Sequence, residues 1–123
     1  MQNYIQKDLG NLANIINNEH GKAFLKDELQ LTSCEIPVNV LPAGAKLPFS
    51  HKHKQNEEIY IFLKGTGAMN LDDKQVDVQE GTCIKVLPKP SRTIVAKTDL
   101  QYICIQAKAD SLEQWGMSDA VLC

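Results

Sequence analysis

His51-Lys52-His53-Lys54-Gln55-Asn56-Glu57-Glu58-Ile59-Tyr60-Ile61-Phe62-Leu63-Lys64-Gly65 is the stretch that decides the fold of this chain. Its second half, Glu58 to Leu63, is β-branched and aromatic, and it ends at the turn Lys64-Gly65-Thr66-Gly67, which predicts a strand. Alternate side chains of a strand share a face. Glu58 is therefore in phase with Tyr60 and Phe62, and Glu57 with Ile59, Ile61 and Leu63. The aliphatic set suits packing against a second sheet or another subunit. The set with an acid, a phenol and a ring suits a partly polar interior. In the first half stand two of the chain's 3 histidines, on either side of Lys52. On an extended segment His51 and His53 point the same way, and Glu58, rather than Glu57, comes from the neighbouring strand to meet them. Two imidazoles and a carboxylate suit Fe, Mn, Ni, Co or Zn. Taken alone, His-Lys-His among Lys54, Gln55 and Asn56 reads more simply as a solvated loop end.

Outward from this stretch the pattern is one of short apolar runs separated by turn residues. Leu31–Leu41 is expected as a strand, with Pro37 placing it at an edge or a bulge. Leu47–His53 is a second, shorter run. After the central strand come Ala68–Leu71, the hairpin signal Asp72-Asp73-Lys74, Gln75–Val78, Cys83–Leu87, Arg92–Ala96 and Leu100–Ala107. So many short strands at regular spacing predict a β-sandwich or barrel. Helix is expected only as a turn at Asn11–Asn18 and in the tail at Ser111–Trp115. The whole chain, 1–123, is expected to be a single domain with its barrel core at about 29–107.

The spacing of Gly44, His51, His53, Glu58 and Gly65 resembles the first motif of the cupin family. In that motif a Gly precedes His-x-His, a Glu follows after a few residues, and a Gly follows six after that. One departure lies upstream, where an extra residue between Gly44 and His51 is readily absorbed as a bulge. Gly81 to Arg92 (GTCIKVLPKPSR) resembles the second cupin motif: a Gly turn, a short run, and a proline loop. Where the family carries a His as last metal ligand, this chain has Arg92, its single arginine. Guanidinium is always charged and does not ligate metal ions.

The resemblance implies an all-β, double-stranded β-helix (jelly-roll) barrel with short N-terminal and C-terminal extensions. It also implies a divalent transition metal on His51, His53 and Glu58, beside a fixed positive charge. Two functions follow as expectations. The first is a metal-dependent enzyme of dioxygenase or isomerase type acting on a small anionic substrate, with Arg92 as an anion clamp and Tyr60 and Tyr102 as ligand-binding groups. The second is a non-catalytic ligand-binding or sensor protein with little or no metal, in which Arg92 pairs with Glu58 or binds an anion. Tyr102 also reads as plain core packing.

A net charge of −2, from 13 basic and 15 acidic residues, argues against a nucleic-acid surface. No run approaches the roughly 20 apolar residues of a membrane span. The N-terminal residues MQNYIQKDLGNL lack an apolar signal core, so a cytoplasmic protein is expected. Cys34, Cys83, Cys104 and Cys123 show no paired spacing and are expected as reduced thiols, with Cys83 and Cys104 buried as small hydrophobes. Trp115 is expected to cover a barrel end or an interface, His20 to be exposed, and the chain to form a homodimer through Leu31–Leu41 and the Ile59/Ile61/Leu63 face.

Overall fold

The computed structural model describes residues 3–17, 22–48 and 50–123; His20 lies outside them. Among the described residues, β1 (Lys22–Phe24), β2 (Pro37–Leu41), β3 (Asn56–Lys64), β4 (Thr66–Leu71), β5 (Lys74–Gln79), β6 (Cys83–Val86), β7 (Arg92–Ala96) and β8 (Leu100–Lys108) form two antiparallel sheets. The larger has the order β1-β2-β8-β3-β6 and the smaller the order β5-β4-β7. The expected all-β barrel is what the chain adopts. No helix among the described residues is long and apolar enough to cross a membrane.

β3 shows why. Its side chains alternate between partly buried and buried from Glu57 to Leu63. Tyr60 and Phe62 face inward with Met69 of β4, Val78 of β5, Val86 of β6, Ile94 and Ala96 of β7, and Leu100, Tyr102 and Cys104 of β8. The rings of Phe62 and Tyr102, opposite each other in register, lie 5.4 Å apart between centroids. A second, smaller cluster forms on the outside of β2, where Val38 and Val40 are covered by Leu9, Leu12, Ala23 and Leu25.

Several expectations are corrected. The strand expected from Leu31 begins only at Pro37, which has no N–H to donate and so opens a strand rather than continuing one. Before it lie β1 and α1 (Leu25–Leu29), whose three and five residues are too few to show a period in the sequence. Among the described residues of the run Leu47–His53 there is no strand; isolated bridges at Lys46 and His51 tie this segment to β7. The helical turn expected at Asn11–Asn18 is present as a 3₁₀ helix, Leu12–Asn17, with Asn18 outside the described residues. The helix expected at Ser111–Trp115 is absent, and a single 3₁₀ turn, Gly116–Ser118, follows instead. Cys83 is exposed, not buried.

Gly65 is where β3 leaves the larger sheet and β4 enters the smaller one, just after a register shift between Phe62 and Lys64. Its φ is +93°, and a Cβ there would sit 2.1 Å from the carbonyl oxygen of Asp99. Gly65→Ala is therefore expected to destabilise the protein by more than the about 1–3 kcal/mol that such a conformation alone costs. The midpoint of urea unfolding measures it. An unchanged midpoint would mean that the crossing is slack.

Candidate metal centre

Three elements bring the site together. Glu58 stands near the start of β3 and points inward, 3% exposed. His51 is held by its backbone, which exchanges hydrogen bonds with Arg92 at the head of β7: His51 N–H to Arg92 O, 3.1 Å, and Arg92 N–H to His51 O, 2.9 Å. His53 N–H donates to the Pro88 carbonyl at 2.9 Å. The loop before β7 thus sets the position of both histidines. Their rings meet edge to face, 5.1 Å between centroids.

The donor atoms of His51, His53 and Glu58 all lie within 4.8 Å of one another. His53 Nε2 is 3.2 Å from Glu58 Oε2, and His51 Nε2 is 3.7 Å from Oε1. His53 Nε2 is buried and, despite this proximity, makes no hydrogen bond: an orphaned nitrogen beside a carboxylate oxygen. A buried polar atom left so is costly unless something meets it. A cation that takes nitrogen and oxygen ligands fits this donor set.

The carboxylate itself is tightly held. Oε1 accepts the Tyr60 hydroxyl at 2.6 Å and Arg92 Nη1 at 2.9 Å. Oε2 accepts the Cys104 thiol at 3.2 Å. Burial alone pushes the Glu58 carboxyl up. The hydrogen bonds from Tyr60 and Cys104, with positive charge at His53 and Arg92, outweigh it and hold the group below the usual carboxylate range. The phenols of Tyr60 and Tyr102 and the thiol of Cys104 are all pushed up, by burial first and by their charged neighbours second, so they remain proton donors.

Arg92 is 1% exposed. Besides Glu58, its guanidinium donates to the carbonyls of Leu87, Pro88 and Pro90 at 2.7–3.2 Å. The residue expected to clamp a ligand anion has its donors on the protein. Tyr60 likewise spends its hydroxyl on Glu58, and both Tyr60 and Tyr102 line the pocket at the histidines. That pocket is small, about 120 Å³, and Asn39 and Gln106 also line it. A larger open groove of about 520 Å³ runs along the outside of the smaller sheet, past Ala68, Asn70, Asp77 and Val95, and does not touch the histidines. It has no comparable cluster of metal-binding groups.

Two contributors escaped the sequence reading. Cys104 reads as a small hydrophobe, yet its thiol braces Glu58; its phase with Tyr102 on one strand was the available signal. Asp72, legible only as a hairpin turn, exchanges hydrogen bonds with Ser91 (Oδ1 from Ser91 N–H, 2.9 Å; its own N–H to Ser91 O, 2.8 Å) and so pins the loop that ends in Arg92.

Comparison with known proteins agrees with this architecture. The chain is similar to a cupin protein of known structure from Bacteroides fragilis, with 38% identity, a TM-score of 0.88, and coverage of 100% of this chain and 99% of that one. It is similar to a predicted oxalate decarboxylase from Thermotoga maritima, with 26% identity, a TM-score of 0.54, and coverage of 61% and 64%. An uncharacterised protein of Methanocaldococcus jannaschii shares 36% identity over 67 residues, 53% of each chain, so this chain spans about half the length of that relative. Residues 38–105, more than half of the 123, match the cupin domain family, and the chain belongs to it.

Proposed function

We propose that the barrel holds one divalent transition metal ion on His51, His53 and Glu58 and uses it to bind and activate a small, oxygen-bearing anionic molecule. The observation that carries this reading is the orphaned Nε2 of His53 beside a Glu58 carboxylate that its surroundings keep ionised. Fe, Mn, Ni, Co and Zn all take such ligands. A bound ion supplies Lewis acidity toward a ligand carboxylate or carbonyl. The chain's own residues do the rest. Arg92 and Tyr60 orient Glu58, the 87–92 loop positions the two imidazoles, and Tyr102 is the phenol placed to meet the ligand. A pocket of about 120 Å³ restricts that ligand to a few heavy atoms, well below the size that fills a typical drug-sized site. The similarity to a predicted oxalate decarboxylase supports a small carboxylic acid, and a reaction of the dioxygenase, isomerase or decarboxylase kind. Four free thiols fit a reducing compartment, and the cytoplasm is the proposed location.

One observation favours a second reading, a ligand-binding or sensor protein with no metal. Arg92 stands where the family's last His ligand is expected, and it already neutralises Glu58. Elemental analysis of the protein purified without chelator separates the two. The metal reading expects close to one equivalent of a transition metal, reduced to a small fraction in His51→Ala, because two remaining ligands hold an ion poorly. Equal, stoichiometric content in both proteins would remove His51 from the ligand set, and none in the wild type after incubation with each of the five metals would leave the metal-free reading.

A further inference from the structure

Asn39 is a polar residue in the middle of an otherwise apolar strand, β2. Its neighbours Val38 and Val40 point outward, under Leu9, Leu12, Ala23 and Leu25, so Asn39 points into the barrel, 4% exposed. One N–H of its amide donates to the Pro37 carbonyl at 3.1 Å, while the amide oxygen has no hydrogen-bond partner among the described residues. Tyr102 stands opposite Asn39 in the β2–β8 register and is 3% exposed. Its hydroxyl also lacks a partner among the described residues, and burial above all keeps it protonated. Two such unmet groups are unusual in a core, where buried polar atoms are normally hydrogen-bonded. Both residues line the pocket that holds His51, His53 and Glu58. They sit one layer further along the barrel than Tyr60 and Cys104, which lie one layer further than Glu58 and Gln106.

The charges nearby are already engaged. Arg92 gives its guanidinium to Glu58 and to the loop carbonyls, and neither it nor any lysine lines the pocket. With one ligand carboxylate on the metal, a second one placed against Asn39 and Tyr102 would be buried without a cation, which is costly. An ammonium end would find no free acid, because Glu58 already accepts from Tyr60, Arg92 and Cys104. An alkyl end would leave the Tyr102 hydroxyl and the Asn39 oxygen unmet. Water meets such atoms in an unliganded pocket, and a ligand that displaces it must reproduce those bonds or lose affinity. A neutral group that both accepts and donates, a hydroxyl or a primary amide, satisfies the pair. We infer that Asn39 and Tyr102 select the second end of the ligand, so that the pocket takes a small monocarboxylate whose other end is an uncharged hydroxyl or amide. Tyr102 donates to that end and the Asn39 oxygen accepts from it. The inference rests on the metal reading above for its carboxylate end, and it narrows the small acid proposed there to a monoacid.

The probes are 3-hydroxypropionate and butyrate, which differ only by a hydroxyl in place of a methyl, and malonate, which carries a second carboxylate. Each is titrated calorimetrically into the full chain loaded with whichever of the five metals it retains. The hydroxy acid should bind about 10–100-fold tighter than butyrate, the range set by leaving buried polar groups unmet. Asn39→Leu and Tyr102→Phe, each close to the original side chain in volume, should cut that ratio about tenfold while butyrate affinity stays within about twofold. Unchanged butyrate affinity shows that the variant pocket is intact, and the two variants test the pair independently. Malonate should bind Asn39→Leu as well as it binds the wild type. Equal affinity of the metal-loaded wild type for the hydroxy acid and butyrate would overturn the inference and leave the metal reading standing. A ratio that survives both substitutions would do the same. Malonate binding that weakens in Asn39→Leu would overturn the exclusion of a second carboxylate. A protein that retains none of the five metals would overturn the metal reading itself, and with it the carboxylate anchor that this inference needs.

Discussion

Arg92→Met is expected to lower the stability of the protein by about 3–5 kcal/mol, the cost of leaving one member of a buried ion pair without the other. The side chain is 1% exposed and its partner Glu58 is 3% exposed, so water does not reach in to replace the lost donor. The loss is not confined to charge. Carbonyls of Leu87, Pro88 and Pro90 all turn toward the guanidinium, and without it they lose the donor they share. That loop carries the backbone contacts of both histidines. Destabilisation should therefore come with disorder of the imidazoles, visible as broadened histidine ring resonances. Urea unfolding of wild type and variant gives the free energy. A change below about 1 kcal/mol would place the pair among the weakly contributing, water-accessible ones. Arg92→Lys should recover little, because an ammonium ion cannot reach four acceptors spread around a planar fork.

This role of Arg92 marks where the sequence could be followed and where it could not. The β3 segment was legible almost entirely from alternation: its hydrophobic and polar faces, the inward phase of Glu58, and the turn at Gly65 follow from side-chain period and turn chemistry. The convergence of His51 and His53 on Glu58 is legible through the resemblance to the cupin motif, whereas in the fold it is the backbone contacts of His51 with Arg92 and of His53 with Pro88 that set it. What the guanidinium does is a matter of long-range geometry. Its acceptors are main-chain carbonyls, and carbonyls carry no signature in a sequence. The same holds for Cys104, whose neighbour across β3 and β8 is fixed by register alone. Short elements such as β1 and α1 fail for another reason, having too few residues to repeat any pattern. Trp115 illustrates a third kind of gap. An apolar residue in a polar tail signals that something will cover it, but a single chain does not say what.

Glu58→Gln is expected to reduce transition-metal affinity by more than the about 10–100-fold typical of losing an outer partner, because here a charged ligand itself is lost. The amide keeps the shape and still accepts from Tyr60, so the pocket should keep its form. It no longer balances Arg92, however, and an unpaired guanidinium 1% exposed should cost stability as well. The two consequences can be separated by removing both charges. In Glu58→Met/Arg92→Met no buried ion is left unpaired, and a pair replaced by apolar side chains of similar volume is often near neutral in stability. The coupling between the two positions should then fall toward the upper end of about 0.5–3 kcal/mol, favouring the double variant over the sum of the single ones. Recovery will be incomplete, since the Tyr60 hydroxyl and the loop carbonyls lose partners in the same step. Metal binding should not recover at all. Urea unfolding and Mn²⁺ titration of the four proteins, wild type, Glu58→Met, Arg92→Met and the double variant, measure both effects together. Stability restored without metal would mean that the buried pair serves the metal centre more than the fold. A double variant that binds Mn²⁺ like the wild type would remove Glu58 from the ligand set and leave the two histidines as its only members.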